Sequence, residues 1–192
     1  MKTHLTISLL FISLLGYAQI NLVESFGNVF ALGNSLVVRN DTIHIVGTTG
    51  LDLGSNQFAP AGFLASYDLN GQLLSYHHVG DTFRIYEGEK LLIDSSGNKY
   101  ILGDFKKDSS GNTTNQGVFV QKRDPNNQIL WTTEYQDSSS NVYYFMRNGI
   151  LLENGNIAIC GTYNISSPID ADILFMVFDT LGNIILHKRI GT

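Results

Sequence analysis

Three segments of the chain repeat one another: SLVVRNDTIHIVGTT (35–49), KLLIDSSGNKYILGDF (90–105) and ILLENGNIAICGTY (150–163). Each reads as strand, polar turn, strand, glycine, and the glycines Gly47, Gly103 and Gly161 stand 56 and 58 residues apart. Ile45, Ile101 and Ile159 each lie two places before their glycine. A second hairpin follows in every copy, at 62–80, 118–135 and 173–191, with Asp68, Asp124 and Asp179 recurring at intervals of 56 and 55 residues. Each aspartate opens a turn in which Gly71, Asn127 or Gly182 takes the position that favours positive φ. Self-similarity at a fixed period marks a repeat architecture, and here each repeat is four short antiparallel strands, A to D.

The second strand of each unit constrains how the units pack. IHIV (43–46), YIL (100–102) and IAIC (157–160) are nearly continuous apolar runs, so both faces of each sheet need cover. Radial stacking of propeller blades supplies that cover, whereas a β-sandwich, the alternative fold, leaves one face of each sheet polar. The expected fold is all-β, with three four-stranded antiparallel blades at about 35–80, 90–136 and 149–191. INLVESFG (20–27) resembles the fourth strands LLSYHHVG (73–80) and IILHKRIG (184–191) and reads as an orphan D strand. Closed propellers carry about four to eight blades, so three make an incomplete ring, open to self-association.

Gly47-Thr48, Gly161-Thr162 and the D-x-x-G-[NQ]-hydrophobic turns at Asp68 to Leu73 and Asp179 to Ile184 resemble secreted bacterial β-propeller repeats of the SBBP type, common in Bacteroidota. Gly103-Asp104 and Asp124-Pro125-Asn126-Asn127 depart from that pattern. The resemblance spans residues 20–191 and implies a binding or display scaffold, with no catalytic residues to carry over.

Export follows from the N-terminus. One positive side chain, Lys2, precedes an uncharged run from Leu5 to Leu15, and small residues at Gly16 and Ala18 suit cleavage before Gln19. Residues 1–18 therefore read as a signal peptide and 19–192 as the repeat domain. The expected location is extracellular or at the cell surface, with the periplasm as alternative, and with no membrane insertion after cleavage. With 12 Lys and Arg against 17 Asp and Glu, and no basic cluster longer than a pair, nucleic acid is not expected as a partner.

No nucleophile elbow, phosphate-binding glycine loop, dinucleotide fingerprint or zinc-protease helix occurs, so no residue receives a catalytic role and no cofactor is expected. No metal site is expected either: His77 and His78 are adjacent on a strand and point to opposite faces. Cys160 stands where Val46 and Leu102 stand in the other repeats and reads as a small buried hydrophobe. Counting back 17 residues from each anchor glycine gives Phe30, Tyr86 and Tyr144, which read as packing plugs between blades. Phe83 and Tyr143 do not recur and are the candidate surface ligand residues. The default ligand face carries the B–C loops (48–61, 104–116, 162–172) and the D–A linkers. The expected function is binding or display toward protein or carbohydrate, with a structural or adhesive surface role, or a polysaccharide hydrolase using paired carboxylates, as alternatives. N-terminal sequencing of exported material should begin at Gln19, and material kept inside the cell with Met1 intact would contradict the signal-peptide reading.

Overall fold

A computed structural model describes residues 31–52, 58–80, 85–106, 116–137, 142–166 and 169–191. The expected signal peptide (1–18), the expected orphan strand (20–27), Phe30 and Phe83 lie outside the described residues. Those described form strands β1 (Ala31–Arg39), β2 (Thr42–Asp52), β3 (Phe58–Asp68), β4 (Leu73–Val79), β5 (Ile85–Ile93), β6 (Lys99–Lys106), β7 (Gln116–Arg123), β8 (Ile129–Tyr135), β9 (Val142–Leu151), β10 (Ile157–Ser166), β11 (Ile169–Phe178) and β12 (Ile184–Ile190). They make three four-stranded antiparallel sheets, each a meander in chain order. The expected all-β fold of three blades is thus present.

The turn motif works through one carboxylate. Asp68 Oδ1 accepts the N–H groups of Asn70 and Gln72 at 2.9 and 2.8 Å, and Asp179 Oδ1 accepts those of Leu181 and Asn183 at 2.9 and 2.8 Å. Two backbone bonds close each turn, such as Asp68 N to Gln72 O and Gly71 N to Asp68 O. Gly71, Asn127 and Gly182 have φ of +81°, +67° and +89°, as the turn signals require. The same chemistry recurs where the repeat pattern alone did not place it, in the A–B turn of the second blade. There Asp94 caps Ser96 and Asn98, and Gly97 has φ +87°.

The anchor glycines have a different reason to be glycine. Each first strand carries a bulge, at Gly33/Ser35, at Gly88/Lys90 and opposite Cys160/Gly161. The bulge drives a carbonyl of the first strand onto the anchor. A Cβ on Gly47 would lie 1.9 Å from Leu32 O, one on Gly103 1.9 Å from Glu87 O, and one on Gly161 2.3 Å from Phe145 O. Because a bulge also shifts the side-chain phase, the first strands begin at Ala31, Ile85 and Val142, ahead of the expected starts near 35, 90 and 149. Strand reaches into the B–C loops expected at 48–61, 104–116 and 162–172: β2 runs to Asp52, β6 to Lys106 and β10 to Ser166, while 53–57, 107–115 and 167–168 lie outside the described residues.

The sheets stack as blades, with β5 packed on β1, β2 and β3 of the first sheet and β9 on β5, β6 and β7 of the second. Val46, Leu64 and Val79 of the first blade meet Tyr86, Leu91, Ile101, Phe105 and Phe119 of the second in one core. Leu102, Val118 and Val120 meet Tyr144, Met146, Ile159 and Leu174 in the next. From Lys99 to Phe105 every residue of β6 is buried, which is the two-sided burial expected of a blade. A sandwich is thereby replaced by a three-layer stack. Polar pins cross the junctions too: Arg123 donates to His78 O at 2.8 Å, and Thr133 Oγ1 to Gly182 O at 2.7 Å.

Cys160 corrects the reading of it as a buried hydrophobe, because it is exposed. Val46 and Leu102 are fully buried only because the following blade covers them. On the third blade that face is open. Replacing Gly103 by Ala should destabilise the chain by about 3 kcal/mol, since a carbonyl and the Phe119 ring occupy the space. Gly71→Ala, with open space but positive φ, should cost about 1 kcal/mol. Urea unfolding of both variants checks the order, and equal losses would refute the close-approach account.

Candidate functional site

Of the two surface aromatics, Phe83 lies outside the described residues. Tyr143 sits near the start of β9, opposite Asn164, and is half-buried beside the open face of the third blade. Of the recurring aromatics, the two described, Tyr86 and Tyr144, act as plugs. Tyr86 is buried with its ring 4.9 Å from Phe119 and 6.0 Å from Phe105, and Tyr144 lies 5.8 Å from Tyr135 and 5.2 Å from Tyr163. A T-shaped contact is the geometry that two ring quadrupoles prefer, and Tyr86–Phe119, Tyr135–Tyr144 and Tyr144–Tyr163 adopt it.

Each histidine with a polar partner is held within the sheet frame. His44 Nδ1 lies 2.9 Å from Ser66 Oγ, and burial, with Lys99 and Arg39 nearby, lowers its pKa to about 4. His77 Nε2 is 3.0 Å from the Asn127 amide, across the first junction. His187 Nδ1 lies 3.3 Å from the Tyr135 hydroxyl, across the second. Among the described residues no group of three His, Cys, Asp or Glu is placed to hold a metal ion.

Carboxylates do converge at one point, and the chain gave no sign of it in spacing. Asp104 was assigned to a loop but lies in β6, buried, and its Oδ1 accepts the Met146 N–H of the next blade at 2.6 Å. Burial raises its pKa to about 8; the Met146 N–H opposes this, Glu89 and Glu87 add to it, and Arg147 opposes it. Glu89 is raised as well, first by burial and then by Glu87. Glu87 itself pairs with Lys106 at 3.3 Å. A perturbed acid in a cluster is the signature of a reactive site, yet this carboxyl is spent on an interblade hydrogen bond.

One concavity with mixed chemistry is a groove of about 420 Å³ between the second and third blades, at the end carrying the A–B turns. It is lined by Asp94 and Tyr100 from the second blade's first hairpin, Lys122 from β7, Glu153 from the third blade's A–B turn, and Thr180 from its C–D turn. The Tyr100 hydroxyl donates to Asp94 Oδ2 at 3.1 Å, its ring contacts Trp131 edge-on at 6.4 Å, and Lys122 Nζ stands 5.1 Å above it. Burial, with Asp94 beside it, holds the Tyr100 hydroxyl well above its ordinary range, so it stays a donor. Burial by itself raises the Asp94 carboxyl, but donors from Asn98, Tyr100 and Ser96 outweigh it and leave that carboxyl below its usual value. The groove therefore offers a fixed anion, a cation over an aromatic ring, and hydroxyls. The size lies within the range of small-molecule sites.

Asp104 generates a test of its own. Its folded value of about 8 exceeds the ordinary 3.8, so the folded chain keeps a proton that the unfolded chain releases. The contribution of this group to stability is full below about pH 4 and is lost as the pH rises toward about 8. In Asp104→Asn the amide oxygen still accepts from Met146 and does not ionise. Urea unfolding across that window should show the native chain losing stability relative to the variant, and a flat difference would refute it.

Neither a scan against models of protein families nor a search among curated proteins finds a match to this chain, so the motifs quoted above carry the propeller-repeat resemblance alone.

Proposed function

We propose that the chain is an exported binding scaffold of the β-propeller kind, and that its ligand occupies the groove between the second and third blades. The observation that carries this reading is the groove itself. There strands of the second blade and turns of both blades bring a carboxylate, an ammonium group, an aromatic ring and hydroxyls around one volume. Function on a repeat scaffold is carried by such junctions because the sheets beneath them hold their shape. Two carboxylates, Asp94 and Glu153, stand against one ammonium group, Lys122, and Asp94 already accepts from Tyr100 and Asn98, so the groove disfavours anions and suits a ligand rich in hydroxyls, as an oligosaccharide is.

A structural or adhesive role has one observation in its favour. The third blade presents a broad apolar face that includes Ile150, Ile173 and Ile190, which are 56%, 55% and 54% exposed. Soluble proteins rarely leave such a face unused.

Calorimetric titration of the purified chain with a panel of soluble oligosaccharides tests the binding reading. A hit should weaken about tenfold in Lys122→Ala and in Glu153→Ala, equivalent to about 1.4 kcal/mol. No binding across the panel, or binding indifferent to both substitutions, would remove the groove as the site and leave the adhesive reading in its place.

A further inference from the structure

Strand register makes Val46, Leu102 and Cys160 equivalent, because each precedes its anchor glycine and pairs with the third strand at Leu64, Val120 and Phe175. The first two are fully buried. What buries them is the first strand of the next blade, closing in at a glycine: a Cβ on Gly88 would lie 2.6 Å from Val46 Cγ2, and one on Gly149 2.3 Å from Leu102 Cδ1. Cys160 is exposed, at the floor of a shallow depression lined by Asn148, Ile150 and Phe175. The chain thus shows twice what covers this surface and, at its third occurrence, leaves it bare.

The other end of the stack carries the complement. Leu36 pairs with Ile45 as Leu91 pairs with Ile101, yet Leu91 is 1% exposed against the preceding blade whereas Leu36 is 37% exposed. Gly33 lies opposite its anchor glycine just before the bulge, where Gly88 lies in the second blade. Gly88 meets Val46 of the blade before it, while among the described residues a Cβ on Gly33 would meet only Ile45 of its own sheet. Ala31, Ile45, Phe63 and Ala65 of the first blade are already buried, so what β1 leaves free for docking is the exposed pair Leu36 and Val38. That is the strand position which makes both junctions inside the chain.

We propose that the open face around Cys160 docks onto β1 of a second copy of this chain, head to tail, so that two copies close a ring of six blades. A two-fold axis covers both open ends in a single dimer. Closed propellers contain about four to eight blades, and with the three blades that the described residues of each copy form, two copies meet that range whereas three copies exceed it. The junction is separate from the groove, so its test does not depend on ligand binding.

Sedimentation of the purified chain reads the association, and Cys160, the one cysteine, is a built-in reporter. The chain should sediment as a dimer whose Cys160 reacts slowly with a thiol reagent, and faster on dilution to monomer. Cys160→Arg and Leu36→Lys, both at exposed positions, should each weaken dimerisation by about tenfold or more while circular dichroism stays unchanged. Ile173→Lys, on the same open face, serves if Cys160→Arg fails to fold. Mixing the two single variants should restore one intact junction and give a heterodimer. A monomer with Cys160 reactive at every concentration would overturn the proposal. So would a dimer broken by Cys160→Arg but indifferent to Leu36→Lys, since that pairs third blades with each other, and so would association without defined stoichiometry.

Discussion

A four-stranded sheet that is apolar on both faces cannot rest against water on either side, and this single demand organises the molecule. In β6 the run Tyr100-Ile101-Leu102 sends Ile101 toward the first blade and Tyr100 and Leu102 toward the third. Hydrophobic burial at both junctions follows, and the connecting turns only have to return the chain. The outer strands β4, β8 and β12, by contrast, are mostly exposed or half-buried, since the contacts between blades run chiefly through the first three strands of each sheet.

How closely blades approach is set by small residues and by the bulge. The bulge pushes a first-strand carbonyl over the anchor glycine within the sheet, and glycines of that same strand let the next blade settle on an aliphatic side chain. Each junction then takes polar pins that suit its own surroundings. Asp104 to the Met146 N–H joins the second pair of blades, and the Arg123 side chain to His78 O joins the first. Neither pin repeats in the other junction, so the packing is the common element and the polar contacts are local fittings.

The blades and their turns were legible because they depend on local chemistry and on period. The D-x-x-G signature states a carboxylate, two amide donors and a positive φ within five residues, and the structure contains that arrangement at Asp68 and Asp179. The first strands were less legible because the bulge breaks the alternation of side chains in ALGNSLVVR and IYEGEKLLI. Cys160 was misread for a physical reason: position within the repeat predicts burial only when the neighbouring repeat is present to supply it. The groove could not be read at all. Tyr100 and Lys122 come from two strands of the second blade and Glu153 and Thr180 from two turns of the third, and nothing in their spacing along the chain brings them together.

The uniform junction has a consequence for how such a chain changes over generations. Since each blade touches its neighbours through the same strand and the same register, a gene segment encoding one unit of about 56 residues can be duplicated or lost without redesigning the others. A copy inserted between two blades meets matching surfaces on both sides. The position at Cys160 marks where that matching stops within one copy: no described blade packs on it, and it holds cysteine where Val46 and Leu102 hold aliphatic side chains.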